Sequence, residues 1–169
     1  ADLLGRRTAV ARGAAVVALL LAAVLAWLTH DQQKVWADTV TLWEYNTAHE
    51  PNSFVSHLRL GQTYKSEKDW PKAIAALTKA VSLAPGDIDS RCELACCLAE
   101  VGRTDEALAQ CDASFQILER ATFGSELRRR FETQTHQTRG DVLLKTPGRQ
   151  ADAAAAYQAV LDLEPEAVA

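Results

Sequence analysis

Four cysteines are the side chains of this 169-residue sequence best suited to chemistry, and three of them, Cys92, Cys96 and Cys97, crowd into one short segment ahead of Cys111. Thiolates bind soft metals and attack electrophiles. A metal site needs several ligands converging about 2.3 Å from one ion, usually held on paired Cys-x-x-Cys knuckles. The spacing here is Cys-x-x-x-Cys-Cys, which lacks those knuckles, so no metal is expected. On a helix, Cys92 and Cys96 sit one turn apart, a geometry poorly matched to a disulfide. A bridge to Cys111 stays open in an oxidising compartment. Cys97 and Cys111 read as fillers of small core positions between helices.

The other chemistry-bearing residues form no constellation. His30, His49, His57 and His136 are scattered without ligand spacing, and His57 and His136 fall where aromatic packing residues recur. There is no phosphate-binding glycine loop, nucleophile elbow or helical zinc motif. Neither a catalytic residue nor a cofactor is expected, and the chain reads as a non-enzyme with no small-molecule substrate. Arg139-Gly140-Asp141 spells an adhesion tripeptide by chance within a predicted helix. Arg128-Arg129-Arg130 reads as a solvated helix face, with an acidic partner or lipid headgroups as the other reading. A net charge of −4 argues against a general nucleic-acid binder.

The elements that must carry these residues are helices, set by a recurring pattern of small side chains. From Phe54 to Asp87, Leu60, Gly61, Tyr64, Ala73, Ala80 and Pro85 recur at fixed phase. Gly61, Ala73 and Ala80 suit a place where two helix axes approach to about 8 to 10 Å, while Tyr64 and Leu77 fill the volume on either side. Asp69 caps the second helix, Pro71 lies in its first turn, and Pro85 lies beyond its end. A second copy runs over 88–121 through Leu94, Ala95, Leu98, Gly102 and Ala107, with Cys111 and Ser114 at positions usually held by larger or apolar side chains. The third, over 125–166, needs one extra turn residue. There Gly140 is the small crossing residue, Thr146-Pro147-Gly148 makes the turn, and Ala153, Tyr157, Val160 and Pro165 follow. Its first helix can start early, because Gly140 is the one breaker between Ser125 and Lys145.

These residues resemble the tetratricopeptide (TPR) repeat, a helix-turn-helix unit of roughly 34 residues that stacks into a superhelix and builds binding surfaces. The resemblance implies an all-α solenoid over 54–169. Its concave face, formed by the first helix of each repeat, would present Leu58, Gln62 and Lys65, then Cys92, Glu93, Cys96 and Glu100, then Gln137 and Asp141. This mixed, slightly acidic groove lacks the Lys/Asn/Arg set that holds a peptide's terminal carboxylate. An extended or helical segment of a protein partner fits it better. The last helix, Ala151 to Leu163, is apolar around most of its circumference. Either that end packs on a partner, another copy or further sequence, or its alanines are simply good helix formers.

Upstream, residues 31–53 hold half a repeat, with Leu42, Trp43 and Pro51 in the phase of a second helix. Residues 1–30 differ. Thr8 to Leu28 is an apolar run of about 21 residues, long enough to cross a bilayer. Arg6, Arg7 and Arg12 would meet headgroups at one interface and Trp27 the other. A cleaved signal peptide is the competing reading, and a twin-arginine signal lacks its downstream residues. The three arginines place the amino terminus in the cytoplasm and the repeats outside it, in the periplasm. The sequence has no methionine, which fits either a trimmed start or the tail of a longer protein.

A membrane helix followed by Trp36-x-Asp38-x-x-x-Leu42-Trp43, a proline and repeats resembles the carboxyl-terminal part of multi-spanning glycosyltransferases with TPR tails, of the O-mannosyltransferase kind. The resemblance spans about Val10 to Pro85. Those enzymes hold their catalytic acids in early loops among many spans, which this sequence does not contain. The expectation is therefore a membrane-anchored interaction or assembly subunit of a larger membrane complex. The alternative is the TPR tail of such a transferase, with its catalytic part elsewhere.

Overall fold

The structure is a computed structural model that describes residues 39–163, and every described element is α-helical. The helices are α1 (Thr39–His49), α2 (Phe54–Ser66), α3 (Trp70–Leu83), α4 (Ile88–Glu100), α5 (Thr104–Arg120), α6 (Ser125–Leu144) and α7 (Gln150–Leu163). The expected span Thr8 to Leu28, its interface residues Arg6, Arg7, Arg12 and Trp27, and the closing Pro165 lie outside the described residues. Among the described residues, no helix is long and apolar enough to cross a membrane. The chain divides into two compact units, Ala1–Tyr45 and Asn46–Ala169, and α1 straddles their boundary. This helix stands where half a repeat was expected, and none of its residues is buried.

In the second unit, α2 pairs with α3, α4 with α5, and α6 with α7; each following pair then stacks on the last, α4 against α2 and α3, α6 against α4 and α5. Side-chain caps start three of these helices. Ser53 accepts from the Ser56 amide at 3.3 Å, Asp69 from Lys72 at 3.3 Å, and Asp87 from Ser90 at 2.8 Å, each satisfying an amide that has no partner within its helix. Inside each of the first two pairs the turn follows one recipe. Lys68 and Gly102 take positive φ (61° and 76°), and the next amides, of Asp69 and Arg103, reach back five residues to Tyr64 and Leu98 at 2.9 Å. That closure ends a helix by satisfying its last carbonyls. The third turn has the anticipated extra residue: Gly148 takes the positive φ (80°), eight positions after Gly140 rather than the seven that separate Gly61 from Lys68.

Close approach explains the glycines in the first helix of each outer repeat. A Cβ on Gly61 would lie 2.5 Å from Leu77 Cγ, and one on Gly140 would lie 2.7 Å from Tyr157 Cε1. The middle repeat uses Ala95, which is buried, at the same place. Ala73, Leu77, Ala80, Ala107 and Ala153 are buried along the facing helices.

Helix α6 does start early, as one continuous helix from Ser125. Its added turns are anchored at two points. The Arg128 guanidinium donates to the Leu118 carbonyl near the end of α5, where the helix dipole favours a cation. Phe131 joins Phe115, Ile117 and Phe123 around a core of Ile88, Cys92 and Leu118, with the Phe123 and Phe131 rings edge-on at 5.6 Å.

Candidate partner-binding groove

Residues spaced one helical turn apart share a face, and three carboxylates of α4, Asp89, Glu93 and Glu100, line one such row. Each is answered from a neighbouring first helix. Lys65 of α2 pairs with Glu93 at 2.7 Å, and Gln62 donates to the other oxygen of the same carboxylate at 3.0 Å. From α6, Arg130 approaches Asp89 at 3.7 Å, and Lys145, which caps that helix, pairs with Glu100. The resulting ladder ties three consecutive repeats together along the groove.

The structure brings Gln62, Lys65, Glu93 and Glu100 into this ladder, as partners of one another or of Lys145. Asp141 accepts from the Tyr157 hydroxyl at 2.6 Å, Leu58 and Cys96 are half-buried, and Gln137 is exposed. Cys92 is the exception. Only 3 % exposed, it does not reach the groove surface and belongs to the core with Ile88 and Leu118. The cause is the long α6, whose Thr135 and Thr138 hydroxyls hydrogen-bond the Cys92 thiol, so the position that Leu58 leaves half open on α2 is covered on α4. Asp89, Arg130 and Lys145 were not anticipated as groove residues. Lys145 occupies the register of Glu100, so extending the repeat phase by one more position finds it; Arg130 precedes the repeat frame and has no such signal.

Burial lowers the Lys65 pKa, but the hydrogen bond and charge of Glu93, with Cys96 and Cys97 beside it, together outweigh that and hold the ammonium above its ordinary value. Burial pushes the Cys92 thiol up to about 11 and those of Cys97 and Cys111 up to about 12, and it also raises Cys96. All four are free thiols. At neutral pH they are protonated, and so are weak nucleophiles and poor metal ligands. Among the described residues no cluster of three or more His, Cys, Asp or Glu is placed to hold a metal. His57 hydrogen-bonds the Pro51 carbonyl at 3.0 Å, and the His136 ring packs tilted against Phe115 with centroids 4.7 Å apart. The arginine triplet is tied down within the protein, Arg128 to Glu132, Arg129 to Glu126 and Arg130 to Asp89.

Residues 55–87 match the family described as tetratricopeptide repeat. The helical scaffold is similar to solved structures of MamA: to MamA MSR-1 with a TM-score of 0.57 and 22% identity, covering 76% of this chain and 67% of that one. To MamA AMB-1 the TM-score is 0.57 at 20% identity, covering 75% and 63%. The chain thus spans about two thirds of the length of these structures. A comparison with curated protein sequences finds no match. The fold is a TPR-type α-solenoid. These likenesses cover the repeat portion of the layout expected from the sequence and none of its glycosyltransferase portion.

Proposed function

We propose that this chain is a membrane-anchored docking or assembly subunit of a larger membrane complex, with no chemistry of its own, whose concave groove takes an extended or helical segment of a protein partner. The ladder of paired groove side chains carries this reading. Because Lys65, Glu93, Glu100 and Lys145 already hold one another, the groove is fixed before a partner arrives and loses little entropy on binding. Affinity then comes from a few anchors seated against Leu58 and Cys96, with the polar rim setting register. Anchoring rests on the length of the apolar run Thr8 to Leu28, and a periplasmic location for the repeats rests on Arg6, Arg7 and Arg12.

The test is purification of the full chain from native membranes, comparing the natural sequence with a groove-blocking variant, Glu93→Lys with Cys96→Arg. A stoichiometric protein partner retained by the first and lost by the second supports the reading. If the variant folds and keeps the partner, the groove is not the docking site. Deleting Thr8 to Leu28 should release the chain from membranes, and retention there would remove the anchor.

A further inference from the structure

Helices α5 and α7 both pack on α6 and not on each other, so the space between them holds only what side chains supply. In the second repeat the corresponding place, between its first and second helices, is bridged. Arg91, four positions before the crossing residue Ala95, donates to the Gln110 side-chain oxygen at 2.9 Å and to the Pro85 carbonyl at 2.8 Å, while Leu94 is buried beside the crossing. The third repeat changes all three residues. His136 stands in the register of Arg91, Ala156 in that of Gln110, and Arg139 in that of Leu94. Alanine offers nothing for His136 to bond, and Arg139 sends its guanidinium to Asp112 on α5.

The result is an open hollow of about 400 Å³, with Ala155, Ala156 and Ala159 along α7 and with Phe115 and Leu143 supplying its other apolar lining. The remaining lining is rich in unspent donors. The His136 ring packs against Phe115 but has no hydrogen bond among the described residues. Burial lowers its pKa against the opposing pull of Glu132, so at neutral pH the ring is uncharged and offers one N–H. Arg139 gives one nitrogen to Asp112, and Arg149 gives one to Asp152. A guanidinium carries five N–H groups in all, so most of these donors stay free, whereas each aspartate keeps a single uncommitted oxygen. Excess donors around an apolar floor suit a ligand with an apolar body and an anionic acceptor beside it.

We propose that this hollow docks a segment of a protein partner in which a bulky apolar side chain is followed by an acidic residue, the apolar group filling the space along Ala155 and Ala159 and the carboxylate meeting the free N–H groups of Arg139 and Arg149. The His136 N–H serves a backbone carbonyl of the same segment. Paired guanidiniums recognise carboxylates in this way wherever acidic motifs are read. The surface opens between second helices and shares no residue with the concave groove, so it acts independently of it.

The probe is a fluorescein-labelled peptide of about ten residues with one phenylalanine followed directly by glutamate in a glycine-serine background, titrated against the full chain by anisotropy. The expected result is saturable binding, weakened about tenfold or more by Ala155→Phe, which fills the hollow, and by Arg149→Glu, which reverses its charge. Both positions are exposed, so either variant keeps the fold. Arg149→Glu should in turn favour a peptide with lysine in place of the glutamate. Unchanged affinity in both variants, or equal affinity for a peptide with glutamine in place of the glutamate, overturns the proposal. Binding that survives both variants but falls with Glu93→Lys plus Cys96→Arg places the peptide in the concave groove and overturns it as well. Absence of saturable binding to the natural chain does the same.

Discussion

A methyl group on Gly61 would lie 2.5 Å from Leu77 Cγ, far inside contact distance of a side chain that is itself completely enclosed. The Leu77 amide nitrogen, at 3.3 Å from the same point, limits how far that helix can yield. The substitution Gly61→Leu should therefore destabilise the domain by about 1–3 kcal/mol through overpacking, read as a lowered urea midpoint. The sign reverses in a cavity background. Once Leu77→Ala has opened the site, Gly61→Ala should be neutral or stabilising, because alanine is favoured over glycine within a helix by about 1 kcal/mol. Destabilisation of equal size in both backgrounds would rule out the steric account.

Lys68 holds a positive φ of 61° where the next repeat has Gly102 at 76°. A left-handed conformation costs a non-glycine residue about 1–2 kcal/mol, of which glycine's greater freedom in the unfolded chain returns about 0.5–1 kcal/mol. Lys68→Gly should stabilise the domain by about 0.5–1 kcal/mol, and Gly102→Lys should do the reverse. Chemical denaturation of both variants measures this directly.

Buried thiols make a linked pair of predictions. With Cys92 raised to about 11 and Cys97 and Cys111 to about 12, a thiol reagent at pH 8 should modify Cys96 first and the others only as the protein opens; mass spectrometry of the labelled protein reports the order. A thiol whose folded pKa is raised keeps its proton longer in the folded state than in the unfolded one. Its contribution is intact below the ordinary thiol value of 9.0 and is lost as pH climbs through the folded values near 11 and 12. Stability should fall steeply over that interval. Replacing Cys97 and Cys111 with alanine should flatten the fall.

The Lys65–Glu93 pair and its Gln62 companion link the first two repeats. A double-mutant cycle of Lys65→Met with Glu93→Gln should give a coupling of about 0.5–1 kcal/mol, the scale of a partly exposed ion pair, and it should shrink in high salt. A coupling near zero at low salt would mean that packing alone joins these repeats.

Local chemistry written into the chain fixed the helices and their pairing. Small residues at Gly61, Ala73 and Ala80 allow two helices to approach, Asp69 and Pro71 start one of them, and a surplus turn residue before Gly148 is visible as a shift in phase. Each works over a few residues, so it is readable without knowing what lies across the fold. The inert character of Cys97 and Cys111 was equally legible, because small apolar side chains at those phases have nowhere to go but between helices.

What surrounds each face was decided by residues distant in sequence. Cys92 occupies a groove register and is nonetheless buried, because α6 begins early and lays Thr135 and Thr138 over it. Arg130 reaches Asp89 from 41 positions further along the chain, and Lys145 finds Glu100 because both end their helices on the same side. Periodicity specifies which way a side chain points from its own helix. Whether that direction meets water, a counter-charge or another helix depends on stacking, which only the folded arrangement determines.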